Sequence, residues 1–183
     1  MRKLKVSENG RFFEYEDGEP FFYLADTAWV ICNKLKLEEA RMLFENRAAK
    51  GFNAVQTVVF RDLFEPNSPN AYGVRPFASE ADLHAVRMNP EWIAHLKRVL
   101  DLAREAGLYL ALLPTWGDKW NEHSNSAGPV VMDAESGRAY TRMLSDELAD
   151  YPNVIWMLGG DSPIQTQAHA EVIHAMAAGL REG

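Results

Sequence analysis

The sequence alternates four times between a short apolar segment of strand character and a longer segment of helical periodicity. The last apolar segment, Val154 to Leu158, is too short for a stable helix, is rich in β-forming residues and is bounded by Pro152 and Gly159. Short turns such as Gly51-Phe52 lead from a helix to the next strand, whereas long loops lead from the strands to the helices. This alternation predicts βα units arranged around a parallel sheet.

The predicted elements account for most of the chain. Turn signals at Asn9-Gly10 and Asp17-Gly18 predict an N-terminal β-ribbon or hairpin over residues 1–19. Strands are predicted at 20–25, 54–59, 108–113 and 154–158, and helices at 37–50, 89–106, 137–149 and 165–180. Residues 20–183 thus hold four βα units, whereas a complete (β/α)8 barrel needs roughly 250 residues. We therefore predict an α/β fold of the (β/α)8 TIM-barrel type with its first four units present.

Composition excludes several classes of protein. The formal charge is −7 and the sequence has no run of Lys or Arg, so it offers no basic patch that would bind a nucleic-acid backbone. The single cysteine, Cys32, rules out an internal disulfide and a thiol-based zinc site. No stretch is long enough to span a membrane, and Met1 to Lys5 leads into polar sequence instead of an apolar signal core. As it stands, the chain is expected to be cytoplasmic; it would be secreted if an upstream segment had been removed.

Unusual polar and aromatic residues cluster toward the carboxyl ends of the predicted strands. Parallel α/β folds bind their ligands at the carboxyl ends of the strands, where these residues are expected to meet. The residues at these four ends are Asp26 and Trp29, Gln56, Trp116 to Trp120, and Asp161. Their distribution predicts a binding site at this edge of the sheet.

Asp161 is the main candidate for a catalytic residue. Gly159 and Gly160 allow a sharp turn and a close approach by another molecule, and neither has a side chain that would cover the carboxylate. Ser162 and Pro163 are predicted to cap and begin the last helix, so Asp161 is not needed as the cap. The alternative is that its carboxylate only stabilises the start of that helix.

The other candidates each have a structural alternative. Asp26 either contacts a ligand or caps a short helix, and Gln56 either points toward a ligand or bonds to its neighbours. Three tryptophans either form a stacking platform for a sugar ring or belong to the core, namely Trp29, Trp116 and Trp120. Trp92 and Trp156 are predicted to be core residues.

The sequence gives little support for a metal or a nucleotide cofactor. His169 and His174 are five residues apart on one predicted helix and do not share a face, and the other histidines are scattered. Gly159-Gly160 lacks the glycine spacing of dinucleotide- or phosphate-binding loops. We therefore predict no metal and no cofactor, and an α/β oxidoreductase or nucleotide-binding protein has no glycine fingerprint to support it.

Five segments spread over essentially the whole chain carry a resemblance to a known family. They are Phe21 to Trp29, Arg47 to Asn53, Asn70 to Gly73, Gly107 to Lys119 and Asn153 to Asp161. Together they resemble the apiosidase-like glycoside hydrolases, glycoside hydrolase family 140 and its relatives. The resemblance implies a (β/α)8 catalytic domain that removes apiosyl side chains from pectic rhamnogalacturonan II by a retaining mechanism.

The same resemblance implies roles for individual residues. Asp161 looks like the acid/base, and the nucleophile is implied to be a glutamate on a later strand, beyond Gly183. The residues expected to line the sugar site are Asp26, Trp29, Gln56, Tyr72, Trp116, Asp118 and Lys119. Three cations are candidates for contact with a uronate in a pectic substrate, namely Arg61, Arg75 and Lys119.

Two hypotheses follow, an enzyme and a non-catalytic piece. A retaining glycosidase needs two carboxyl groups about 5 to 5.5 Å apart, and this chain supplies one by motif. The alternative is a carbohydrate-binding or truncated half-barrel, and residues 178–183 favour truncation because they end where the next turn should begin. Half a barrel would leave unpaired strand edges, which predicts self-association.

Overall fold

The chain begins with a small antiparallel sheet. The computed structural model describes residues 1–60, 67–124 and 129–183. Strands β1 (Leu4–Val6), β2 (Phe13–Tyr15) and β3 (Pro20–Phe21) pair in that order. The predicted N-terminal hairpin is confirmed, and a third strand extends it.

A four-stranded parallel sheet forms the centre of the molecule. Its strands are β4 (Ala25–Thr27), β5 (Ala54–Val58), β6 (Tyr109–Leu113) and β7 (Val154–Trp156), in the spatial order β4-β5-β6-β7. Sequence order equals spatial order, as in successive strands of a βα barrel. The predicted α/β fold class is confirmed, and the four units form a partial barrel.

Helices connect these strands and cover one face of the sheet. Within the described ranges they are α1 (Ile31–Lys34), α2 (Leu37–Ala49), α3 (Glu80–His84), α4 (Pro90–Glu105), α5 (Ala134–Leu148) and α6 (Gln167–Glu182). The four long helices lie where the sequence predicts them, with ends that differ by up to three residues. None of the helices in the described part of the chain is long and apolar enough to cross a membrane.

Two predicted element boundaries are wrong. The apolar run 20–25 is split between two sheets, because Asn53 accepts a hydrogen bond from the Leu24 amide and donates one to the Phe22 carbonyl between them. The last helix does not begin at Ser162-Pro163; Thr166 caps it instead, accepting a hydrogen bond from the His169 amide. The sequence therefore offers more than one possible capping residue, and packing decides which of them caps the helix.

The parallel sheet has two apolar faces with different partners. Residues such as Val55, Leu110 and Leu112 pack against the helices. On the other face, which we call the inner face, Ala54 and Tyr109 pack against Phe21 of the N-terminal sheet. The small sheet thus covers the amino end of the inner face and leaves the carboxyl end to the loops.

The crossing of α5 and α6 requires glycine at position 179. A Cβ atom there would lie 2.3 Å from the Arg138 carbonyl oxygen and from Thr141 Oγ1. We expect Gly179→Ala to lower the free energy of unfolding by about 2 kcal/mol, because the two backbones must separate. Urea denaturation of the whole chain measures this change.

Gly137→Ala in the same interface is the matched control. Its Cβ atom would lie 3.3 Å from the flexible Met176 side chain, and alanine favours a helix by up to about 1 kcal/mol. We expect little loss of stability from this variant. Equal losses in the two variants would contradict the packing argument.

Candidate active site

A cleft of about 740 Å³ opens at the carboxyl ends of the parallel strands. It brings together four residues that the sequence placed in a common site, namely Trp29, Gln56, Trp116 and Asp161. Gln56 lies within β5, and the other three follow β4, β6 and β7. The rest of the lining is Leu113, Met157 to Gly160, Ser162 and Pro163. The position of the site at this edge of the sheet agrees with the sequence-based expectation.

Two tryptophans form an aromatic wall of the cleft. The rings of Trp29 and Trp116 meet edge to face, with 5.1 Å between centroids. Val58, Leu113 and Met157 pack with them on the inner face. Trp29 is partly exposed, whereas Trp116 is buried with 6% of its surface exposed, so Trp29 offers most of the apolar surface that the C–H face of a sugar ring could contact. Sugar stacking on these rings stays a prediction.

Gln56 is held in a fixed orientation beside this wall. Its Oε1 accepts a hydrogen bond from Thr27 Oγ1 at 3.4 Å, and its Nε2 donates one to the Tyr23 hydroxyl at 3.2 Å. Burial raises the pKa of Tyr23, so the hydroxyl stays protonated. An amide nitrogen carries two hydrogens, and the second is available for a ligand oxygen.

Asp161 is exposed and lies at the rim of the cleft in an unusual backbone conformation. Its φ is +60°, and it follows Gly159 at +119° and Gly160 at +93°. Three successive residues with positive φ turn the chain sharply at the end of β7. A non-glycine residue held in the left-handed region indicates a constrained position and is common at functional sites.

Asp26 does not line the cleft, which corrects the sequence-based expectation. Side chains alternate along β4, so Asp26 points to the helix side while Thr27 reaches Gln56 on the inner face. The Asp26 carboxylate forms an ion pair with Arg47 of α2. It does not cap α1 either, whose N-cap residue is Val30.

Asp118 and Lys119 are also absent from the cleft lining, because they form an ion pair inside the protein. The Lys119 Nζ atom lies 2.8 Å from Asp118 Oδ2, and the side chains are only 1% and 2% exposed, respectively. Neither can contact a sugar without rearrangement of this turn. The described lining residues include no cation, and Arg75 instead donates to the Asn67 carbonyl. Arg61 lies outside the described residues.

Tyr72 and Trp120 serve the scaffold around the site. The Tyr72 hydroxyl accepts a hydrogen bond from the Leu37 amide, so the residue joins its loop to the start of α2 away from the cleft. Trp120 is 3% exposed and belongs to the core, where its Nε1 donates to the Gly159 carbonyl at 3.1 Å. Of the three tryptophans, Trp29 and Trp116 line the cleft and Trp120 does not, so the platform prediction stays with the first two.

Met157 and Ser162 line the cleft although the sequence analysis assigned neither of them to the site. Strand alternation extended from Ile155 would have placed Met157 and Gly159 on the inner face. Ser162 gave no such signal, because its position depends on contact between two loops. Among the residues that the structure describes, no group of three metal-ligating side chains could hold a metal ion.

The sheet order and the cleft at its strand ends define a protein of the βα-barrel class. Within that class, residues 7–183 match the model of the apiosidase-like catalytic domain family, and the chain belongs to this family. The resemblance seen in the sequence is therefore confirmed. No curated protein matches the chain significantly.

Solved structures match nearly the whole chain but extend far beyond it. One described as a glycoside hydrolase is 27% identical with a TM-score of 0.80, over 98% of this chain and 38% of that one. A glycoside hydrolase family 5 protein from Bacteroides vulgatus is 30% identical with a TM-score of 0.78, over 98% and 37%. An exo-β-1,4-mannosidase from an Opitutaceae bacterium, 19% identical with a TM-score of 0.64 over 97% and 33%, shows the fold alone. The chain thus spans 33% to 38% of the length of these proteins.

The Asp26–Arg47 pair makes a pH-dependent contribution to stability. The hydrogen bond from Arg47 lowers the pKa of Asp26 below its ordinary value of about 4. A carboxyl whose pKa is lower in the folded state stabilises the fold above its unfolded pKa, and this contribution disappears as the pH falls through the folded value. We expect the stability lost in Arg47→Met to be largest at about pH 6 and to shrink below about pH 4.

Urea denaturation across this pH range measures the effect. Arg41→Met on the same helix is the control, because its pair with Glu105 is about half exposed and contributes little. A difference between wild type and Arg47→Met that does not change with pH would contradict the prediction.

Removing only one charge of the Asp118–Lys119 pair is expected to lower the stability of the fold. Asp118 Oδ1 has no hydrogen-bond partner among the described residues, so Lys119 supplies the compensation for this buried carboxylate. We expect Lys119→Met to lower the free energy of unfolding by about 3 kcal/mol or more. Adding Asp118→Leu should recover most of the loss, as measured by a double-mutant cycle in urea. Additive losses would show that the two charges do not compensate each other.

Proposed function

We propose that this chain is part of a glycoside hydrolase catalytic site in which Asp161 is the acid/base. The observation that carries the proposal is the convergence of Asp161, Gln56 and the two-tryptophan wall in one cleft at the strand ends. Membership of the apiosidase-like family supports the same assignment. An exposed carboxyl at the rim can approach the glycosidic oxygen of a chain that extends out of the cleft.

In the proposed mechanism Asp161 acts twice. It first donates its proton to the departing glycosidic oxygen while a second carboxylate attacks the anomeric carbon, forming a glycosyl-enzyme intermediate. It then removes a proton from the water that releases the sugar. Asp161 is the single carboxylate among the described lining residues, so the nucleophile must come from outside them. A longer polypeptide or a second copy of the chain would supply it.

The cleft favours a neutral sugar over a uronate as the group held in it. The described lining offers an aromatic wall and an amide but no cation that could pair with a carboxylate. We therefore propose a neutral glycosyl group, such as the apiosyl side chain of pectic rhamnogalacturonan II, as the substrate. This replaces the expectation that Lys119 binds a uronate.

A binding role without catalysis is the second candidate, because the described cleft holds one carboxylate where a retaining site needs two. The outer strands β4 and β7 each have one neighbour among the described strands, so each has an edge free to pair with more chain or with another copy. We propose that a second copy pairs there when no longer polypeptide does.

The test is sugar release from apiose-bearing pectic oligosaccharides by the whole chain and by Asp161→Asn. Where a second copy supplies the other carboxylate, we expect release by the wild type and a loss of roughly 100-fold or more in the variant, the contribution of general acid–base catalysis. Asp150→Asn is the control, because Asp150 is exposed at the other end of β7. Light scattering on the same samples determines whether the active species is a pair.

Each outcome has a defined meaning. Binding of the oligosaccharide with no release from either protein would support the carbohydrate-binding role. Release that Asp161→Asn leaves unchanged would contradict the acid/base assignment. Neither binding nor release, from a folded protein, would reject both functions for this chain.

A further inference from the structure

We propose that Trp120 and Asn121 are positioning residues that fix the acid/base Asp161 by holding its backbone; the inference rests on the proposed function of Asp161. Two loops carry the argument. We call residues 116–121, which follow β6, the clamp loop, and residues 159–163, which follow β7, the acid loop. The clamp loop contacts the acid loop on both sides of Asp161.

Three hydrogen bonds run from the clamp loop to backbone carbonyls of the acid loop. Their donors and acceptors are Trp120 Nε1 to Gly159 O at 3.1 Å, Gly117 N to Gly160 O at 3.1 Å, and Asn121 Nδ2 to Pro163 O at 2.8 Å. Two of the acceptors precede Asp161 and one follows it. The backbone of Asp161 is therefore restrained from both directions, while its side chain makes none of these bonds.

The two loops also fit together with no space for added side chains. A Cβ atom at Gly160 would lie 2.5 Å from the Gly117 nitrogen, and one at Gly117 would lie 2.0 Å from Ser162 Oγ. Glycine at these two positions is required by the close approach of the backbones. The contact explains why Gly160 precedes Asp161 in this chain.

The conformation of Asp161 requires such support. A φ of +60° costs free energy for any residue other than glycine, less for aspartate than for most, and the surroundings hold the backbone there. The three hydrogen bonds to backbone carbonyls fix the chain within two residues of Asp161 on either side. Without them the carboxylate could move away from the glycosidic oxygen, and small displacements of a catalytic group are costly to the rate.

Trp120 acts through this backbone and does not line the cleft. It is 3% exposed, and its ring meets that of His169 edge to face at 5.7 Å. The His169 Nε2 atom lies 3.1 Å from the Glu122 carboxylate, next to the clamp loop. The clamp loop is therefore itself anchored to α6, so it can restrain the acid loop.

Trp120→Phe tests the proposal because it keeps an aromatic ring and removes the N–H donor. Trp92→Phe is the matched control: Trp92 is fully buried and donates its Nε1 hydrogen to the Val59 carbonyl at 2.9 Å, outside both loops. NMR on the complete 183-residue chain provides the first measurement. The three-bond coupling of the Asp161 amide reports its φ, and hydrogen exchange of the Gly117 amide reports closure of the clamp.

We expect Trp120→Phe to change the Asp161 coupling and to speed exchange of the Gly117 amide by roughly fivefold, the equivalent of one neutral hydrogen bond. We expect Trp92→Phe to change neither. An unchanged Asp161 coupling in Trp120→Phe, or equal changes in both variants, would overturn the proposal. This measurement needs no hydrolysis, so failure of the proposed function would not be mistaken for failure of the clamp.

Kinetics of the hydrolysing species give the second measurement. We expect Trp120→Phe to lower kcat with little change in KM, and to lower it more for an oligosaccharide than for an aryl glycoside whose leaving group needs no proton. Asn121→Asp should act in the same direction, because it loses the donor to Pro163 and keeps the acceptor that the His123 amide uses. Equal losses on both substrates would indicate general structural damage and would overturn the positioning role.

Discussion

The parallel pairing of β5 with β6 and their neighbours is the constraint on which the rest of this structure depends. Once four strands pair in sequence order, alternation along each strand assigns every side chain either to the helices or to the inner face. Gln56 thereby reaches the cleft, whereas Asp26 is directed to Arg47. The N-terminal sheet closes the amino end of the inner face through Phe21 and Tyr109. The carboxyl end of the inner face, where the loops meet, is therefore the end that remains open for a functional site.

The loops at that end combine rigidity with one exposed acid. The buried Asp118–Lys119 pair and the Trp120 indole stabilise the turn after β6, and that turn in turn contacts the glycines before Asp161. A charged pair in this position is expensive to bury and is tolerated because each charge compensates the other. The Asp118–Lys119 pair thus supports the structure of these loops, whereas Asp161 is the exposed acid proposed for catalysis.

Several features of the site could be predicted because they follow from local sequence. The apolar runs and the capped helices gave the order of the units, and the Gly-Gly-Asp turn placed Asp161 at a strand end. The roles of Asp118 and Lys119 could not be read in this way. Whether a charged side chain points into a cleft or pairs inside the protein depends on which backbone lies above it, and sequence spacing does not contain that information.

The sequence by itself determined the βα alternation, the family and the edge of the sheet at which the site lies, because hydrophobic periodicity and short turns are local properties. Tertiary structure decided which of the candidate residues share the cleft and which hold it in place. Trp116 and Trp120 are four residues apart, yet one faces the cleft and the other the core. The physical reason is that the contact between two loops, each distant from the other in sequence, fixes the direction of both side chains.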